Sequence, residues 1–127
     1  MRVGAKQWLE IAQSDYEVSR LLFKHAHHPQ AVYALCQAIE KILKAAQIGF
    51  AHQRPQKVHD LKAIAGETGL TFSQEQYQML KDLTRHYKKV RYPDFARFEY
   101  NTKAKVEPII KQGQKIYLWI LARFNNH

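Results

Sequence analysis

Residues 29–49, PQAVYALCQAIEKILKAAQIG, decide how this 127-residue chain folds. Leu35, Ala38, Ile39, Ile42 and Ala46 recur at three- and four-residue intervals, the spacing that lines one face of a helix. Pro29 suits a first helical position and Gly49 suits a helix end, so a helix is expected between them. Gln37, Glu40, Lys41 and Lys44 share the opposite arc. Such an arc can be a solvated face, where a Glu40–Lys44 pair adds about 0.2–0.5 kcal/mol. It can also be a polar wall turned toward a ligand or partner. Cys36, set among small apolar residues, reads as a buried and inert thiol.

The flanking segments repeat the helical pattern. A first helix is expected from about Ala5 to Lys24, with Trp8, Ile11, Ala12, Val18 and Leu22 on one stripe. Asp15 and Ser19 interrupt that stripe, and a carboxylate on an apolar face needs a partner. A loop over 51–57 leads to a short helix from about Val58 to Glu67. Ser73 then opens a fourth helix. It can cap, Gln76 stands at the capping-box position, and Phe72 and Tyr77 are placed as a hydrophobic staple. Leu80, Leu83, Thr84 and Tyr87 face inward along this helix, which continues to about Val90. A last helix starts between Thr102 and Pro108 and runs to Phe124, weakened by Gly113 by about 1 kcal/mol relative to alanine. No segment alternates like a strand, and no Asn-Gly or Asp-Gly hairpin occurs. The expected fold is all-α: one domain over 1–127, an antiparallel up-and-down bundle of four long helices plus a short one.

Charge narrows the function. The net charge is +9, unevenly placed: residues 1–80 hold nine basic and seven acidic side chains, residues 81–127 eleven and four. A field concentrated in one segment attracts phosphate-bearing partners. One cysteine cannot form an intramolecular disulfide, which favours a reducing cytoplasm. The N-terminal residues carry no apolar core of signal-peptide length, and the most apolar run, IYLWILARF, is too short to span a bilayer. No Gly-rich phosphate loop, nucleophile elbow or carboxylate metal pair is present, and no cofactor is implied.

Three constellations remain. In RHYKKVRYPDF (85–95), Pro93 stops the fourth helix. Projected at 100° per residue, Arg91 then points with Leu80, Thr84 and Tyr87 toward the bundle. It can pair there with Asp15, present a guanidinium to a phosphate, or do both. Arg54 and His59 are spaced as a phosphate clamp and general acid–base pair for RNA cleavage; a loop arginine and a capping histidine are the simpler reading. The HAHH run (25–28) lies at a helix–loop junction without a carboxylate or cysteine at zinc spacing, so surface histidines are expected and no metal site.

Taken together, WLEIAQSDY, QAIEKILKA, HDLKAIA and KKVRYPDF, in that order, resemble the HEPN family, and the resemblance spans nearly the whole chain. It implies a helical bundle, usually dimeric, with its site in a cleft near the subunit interface. It also implies association with nucleotides or RNA, often beside a minimal nucleotidyltransferase in modules that act as toxin and antitoxin. Lys41, Lys44, His59, Arg91, Tyr92 and Asp94 fall on family motif positions, which makes them candidate phosphate-binding residues. Catalytic members are metal-independent RNases with an Arg-x(4–6)-His motif near the start of the last helix. No histidine follows Arg85, Arg91 or Arg97 at that spacing, which favours a binding role over RNase activity; a purely structural interaction partner is the third expectation.

Overall fold

A computed structural model describes residues 3–55 and 57–125. Six helices follow one another: α1 (Val3–Lys24), α2 (His28–Ala51), α3 (Leu61–Gly66), α4 (Gln74–Lys89), α5 (Pro93–Glu99) and α6 (Lys103–Asn125). No strand occurs among the described residues, and none of the described helices is long and apolar enough to cross a membrane. The all-α bundle expected from sequence is present, with one more short helix.

Helix α2 is the axis of the bundle. It packs along α1 and against α3, α4 and α6, so it is buried on nearly every side. It does not end at Gly49. It continues to Ala51 and stops where His52 adopts the left-handed conformation and its N–H bonds to Gln47 O. At Gly113 α6 packs tightly on α2: a Cβ at this position would run into Leu35 Cδ2 and lie 3.0 Å from Leu35 Cγ. The glycine that weakens α6 locally therefore sets the approach of two core helices.

Helix α1 has one main neighbour, and only a narrow stripe of it is covered. Ala5, Ala12 and Ser19 are buried, and the Ser19 hydroxyl donates to Ala31 O at 2.8 Å. Ile11 and Val18, expected in the core, are 47% and 45% exposed, as is Leu21 at 49%.

Local signals place the remaining elements. Ser73 and Gln76 form the full capping box, with bonds of 3.0 and 2.9 Å, and Phe72 packs on Tyr77. Helix α3 begins at Leu61 rather than Val58, because Asp60 is its cap and accepts from Ala63 N. Thr84 of α4 accepts from Leu61 N at 3.0 Å, which fixes the start of α3 against α4. The RYPDF segment is more than a turn. Pro93 takes the first position of α5, Asp94 sits in its first turn and Arg97 in its last, an order that suits the helix dipole.

Candidate functional site

Glu40, on the polar arc of α2 that reads as either a solvated face or a wall turned toward a ligand, is 1% exposed. Both its oxygens are occupied. Oε2 accepts from Lys44 Nζ at 2.8 Å and lies 3.8 Å from Lys41 Nζ. Oε1 accepts from the Tyr87 hydroxyl at 2.8 Å and contacts His59 Nδ1 at 3.0 Å. Against a carboxylate this last contact requires the proton on Nδ1, which leaves Nε2 facing outward. Burial alone would raise the Glu40 pKa, but the bonds from Lys44, His59 and Tyr87 outweigh it and hold the carboxyl below its usual range. Burial, together with the Glu40 charge, in turn pushes the Tyr87 hydroxyl upward, so it stays protonated and donating.

Around this hub lies a cavity of about 230 Å³ between α2, the segment before α3 and the end of α4. Its cationic wall is Lys41, Lys88 and Arg91, beside His59. Neither Lys88 nor Arg91 makes an ion pair among the described residues. The positions follow from the fold. Asp60 and Thr84 anchor the start of α3, which hangs His59 over Glu40. The Pro93 turn holds Arg91 just past the end of α4. The cavity has the makings of an anion site: two cations outside any ion pair, on a rim kept rigid by a saturated buried network.

Several sequence expectations change. The Asp15–Arg91 pair does not form; half-buried Asp15 has Lys41 as its neighbouring cation, and burial still raises its pKa. The projection that joined them runs past the end of α4: Val90 is its cap, and Arg91 stands exposed in the turn that follows. Lys44 is buried, 2.8 Å from Glu40 and over the Trp8 ring, so its ammonium is taken. Tyr92, the cap before α5, and Asp94, in its first turn, are exposed and do not line the cavity. Arg54 lines a different cavity with Ile48, His52 and Pro55, so it forms no clamp with His59; Gln56 between them lies outside the described residues. His59 precedes α3 instead of starting it. Among the described residues no group of His, Cys, Asp and Glu is arranged to hold a metal ion. Cys36 is buried and its thiol, pushed up by burial, points at Leu83 O.

Lys41, His59 and Arg91 thus line one cavity, and sequence reasoning missed that Glu40, which bonds His59 and lies 3.8 Å from Lys41, is buried beneath it. The signal was present. Cys36 and Leu43 flank Glu40 on its own arc, and a helix apolar on every side is a buried one.

Comparison with known proteins agrees with this architecture. The crystal structure of TT1696 from Thermus thermophilus superposes with a TM-score of 0.79 at 22% identity, over 93% of this chain and 96% of its own. ST0689, an archaeal HEPN homologue, gives 0.71 at 20% identity, over 97% and 98%. None of the curated proteins matches. The HEPN domain model matches residues 5–123, nearly the full length, and the chain belongs to the HEPN family.

Proposed function

We propose that the protein binds the phosphate of a nucleotide or of RNA in the cavity between α2 and α4. In this reading it serves, as a homodimer, as the partner subunit of a minimal nucleotidyltransferase in a module of toxin–antitoxin type. The carrying observation is the convergence of Lys41, Lys88 and Arg91 on a cavity whose one carboxylate, Glu40, is already saturated. A saturated carboxylate repels an incoming anion less than a free one, and the exposed cations supply charge-assisted bonds. The excess of basic residues after Leu80 adds attraction at longer range. Ile11, Val18 and Leu21, open on α1 at intervals of seven and three, supply an apolar stripe for self-association.

The test is equilibrium binding of labelled ATP and of a short single-stranded RNA across a salt series. Saturable binding that weakens with salt is expected, as phosphate contacts are screened. No binding of either ligand at low salt would exclude the reading.

A second reading has its own observation. Glu40 orients His59 with Nε2 free beside Lys41 and Arg91, an arrangement that can accept a proton from a ribose hydroxyl in metal-independent RNA cleavage. RNA incubated in EDTA with wild type and His59→Ala separates the two: cleavage lost in the variant favours the RNase, and intact RNA throughout favours the binding subunit.

A further inference from the structure

Helix α5 is held differently from its neighbours. None of its residues is buried, and it packs extensively on no other helix. Polar bonds hold it instead. Lys89 pairs with Glu99 at 3.1 Å, and Lys105 Nζ donates to Phe98 O at 2.7 Å. Just past its end Tyr100 is buried, with its hydroxyl 2.8 Å from His86 Nδ1. Held this way, the segment keeps its large apolar side chains out of the core. Tyr92, Phe95 and Phe98, at intervals of three, are 58%, 41% and 63% exposed. A cavity of about 440 Å³ borders them between the end of α4, α5 and the start of α6. Arg85, Lys89 and Lys105 line it together with Phe98 and Ile109.

We infer that this face, the α5 stripe with the cavity it borders, docks another protein through an acidic segment that carries apolar residues among its carboxylates. The face shares no residue with the lining of the basic cavity at Glu40, so it stands independently of the phosphate reading. Three observations select the occupant. Large aromatic side chains gathered in one exposed stripe mark an interaction surface, and aromatic residues with arginine are its usual anchors. Arg97 lies over the Phe98 ring at 5.6 Å and makes no ion pair among the described residues. Charge then sets the sign. Residues 85–105 hold seven basic and two acidic side chains, and one of the two, Glu99, is already paired with Lys89. A partner bearing carboxylates is attracted, whereas a second copy of this chain would bring like charge to like charge. Ring geometry, finally, disfavours RNA bases. Lys89 Nζ lies 4.8 Å from the Phe95 centroid, and Tyr92 stands at 82° to Phe95. The stripe is therefore no ladder of free parallel faces for successive bases.

Fluorescence anisotropy with a labelled helical peptide, whose seam of Leu and Phe is flanked by Glu, tests this on the full chain. Two control peptides carry Lys for Glu, or Ser for Leu and Phe. The acidic amphipathic peptide is expected to bind and to weaken as salt rises, and both controls to bind at least about tenfold more weakly. Phe98→Ser and Arg97→Glu are each expected to cost about tenfold in affinity for the first peptide, the scale of an interface anchor. Both side chains are exposed, so the thermal melts of the variants are expected to match wild type. Absence of binding by the first peptide, or equal binding in wild type and both variants, would overturn the docking surface. Displacement of the peptide by oligouridylate, with RNA affinity lost in Phe98→Ser, would give the face to nucleic acid and overturn a protein occupant. A smaller oligomer in sedimentation of Phe98→Ser would give it to a second copy and overturn the acidic partner.

Discussion

The Tyr87 hydroxyl donates to Glu40 at 2.8 Å, joining two residues 47 positions apart and tying α4 to α2 at the floor of the basic cavity. Lys44 completes the other side of the same carboxylate. The network is structural first. It ties Lys44, His59 and Tyr87 to one carboxylate with Lys41 beside it, and the proposed phosphate site adjoins it.

Glu40→Ala should therefore be severe. It leaves the Lys44 ammonium buried without an anionic partner, which costs about 3–5 kcal/mol. Replacing both partners by apolar residues, Glu40→Leu with Lys44→Met, should recover much of that loss, since an apolar pair of similar volume is often tolerated. Urea unfolding of the three proteins measures both effects. A small loss in Glu40→Ala would show that the pair is not buried as described.

Acid should act in two windows. His86 is held below its ordinary 6.5 mainly by burial and then by Arg85; Asp82, Lys89 and Glu99 also face it, and its Nδ1 contacts the Tyr100 hydroxyl at 2.8 Å. The unfolded chain takes up this proton first, so stability is complete above pH 6.5 and falls as pH drops toward the folded value. Glu40 is also depressed, so its contribution is complete above the ordinary 4.5 and is lost as pH falls through the folded value. Thermal melts from pH 8 to 3 should show both declines, and His86→Gln should remove only the upper one.

At Gly113 helix propensity and packing oppose each other. Alanine gains about 1 kcal/mol as a better helix former. Its Cβ, however, meets Leu35, which is itself fully buried and must shift within the packed core. Overpacking of this kind costs about 1–3 kcal/mol, so Gly113→Ala should destabilise. In a double-mutant cycle with Leu35→Ala the two losses should be clearly less than additive.

Val18→Glu tests self-association. A charge in the middle of the exposed α1 stripe should shift the protein toward monomer in sedimentation at fixed concentration. The melting transition of the monomer should hardly change, as surface substitutions usually stay within about 0.5 kcal/mol. An unchanged sedimentation coefficient would place the dimer surface elsewhere.

What could be read from the sequence were features decided within a few residues. Ser73 and Gln76 cap each other across one turn, and Leu80, Leu83, Thr84 and Tyr87 face the core as their spacing requires. What could not be read depended on neighbours. Ile11 and Val18 have core-like spacing, but α1 has one main partner and leaves them open. Glu40 and Lys44 look like a solvated pair until His59, Tyr87 and Trp8 are folded against them. Arg91 was misplaced because helical projection was carried past the cap at Val90. Helix α5 was hidden because its proline reads equally as a stop for α4 and a start for the next helix.

The most direct test of the basic cavity is Arg91→Ala, read by pyrophosphate titration and by a thermal melt on the same samples. Arg91 is exposed and makes no ion pair among the described residues, so the melting temperature should stay close to wild type. Affinity should fall by about tenfold to a hundredfold, the worth of a hydrogen bond to a charged group. Full affinity in the variant would contradict a phosphate site at Arg91, whatever happened to the melt.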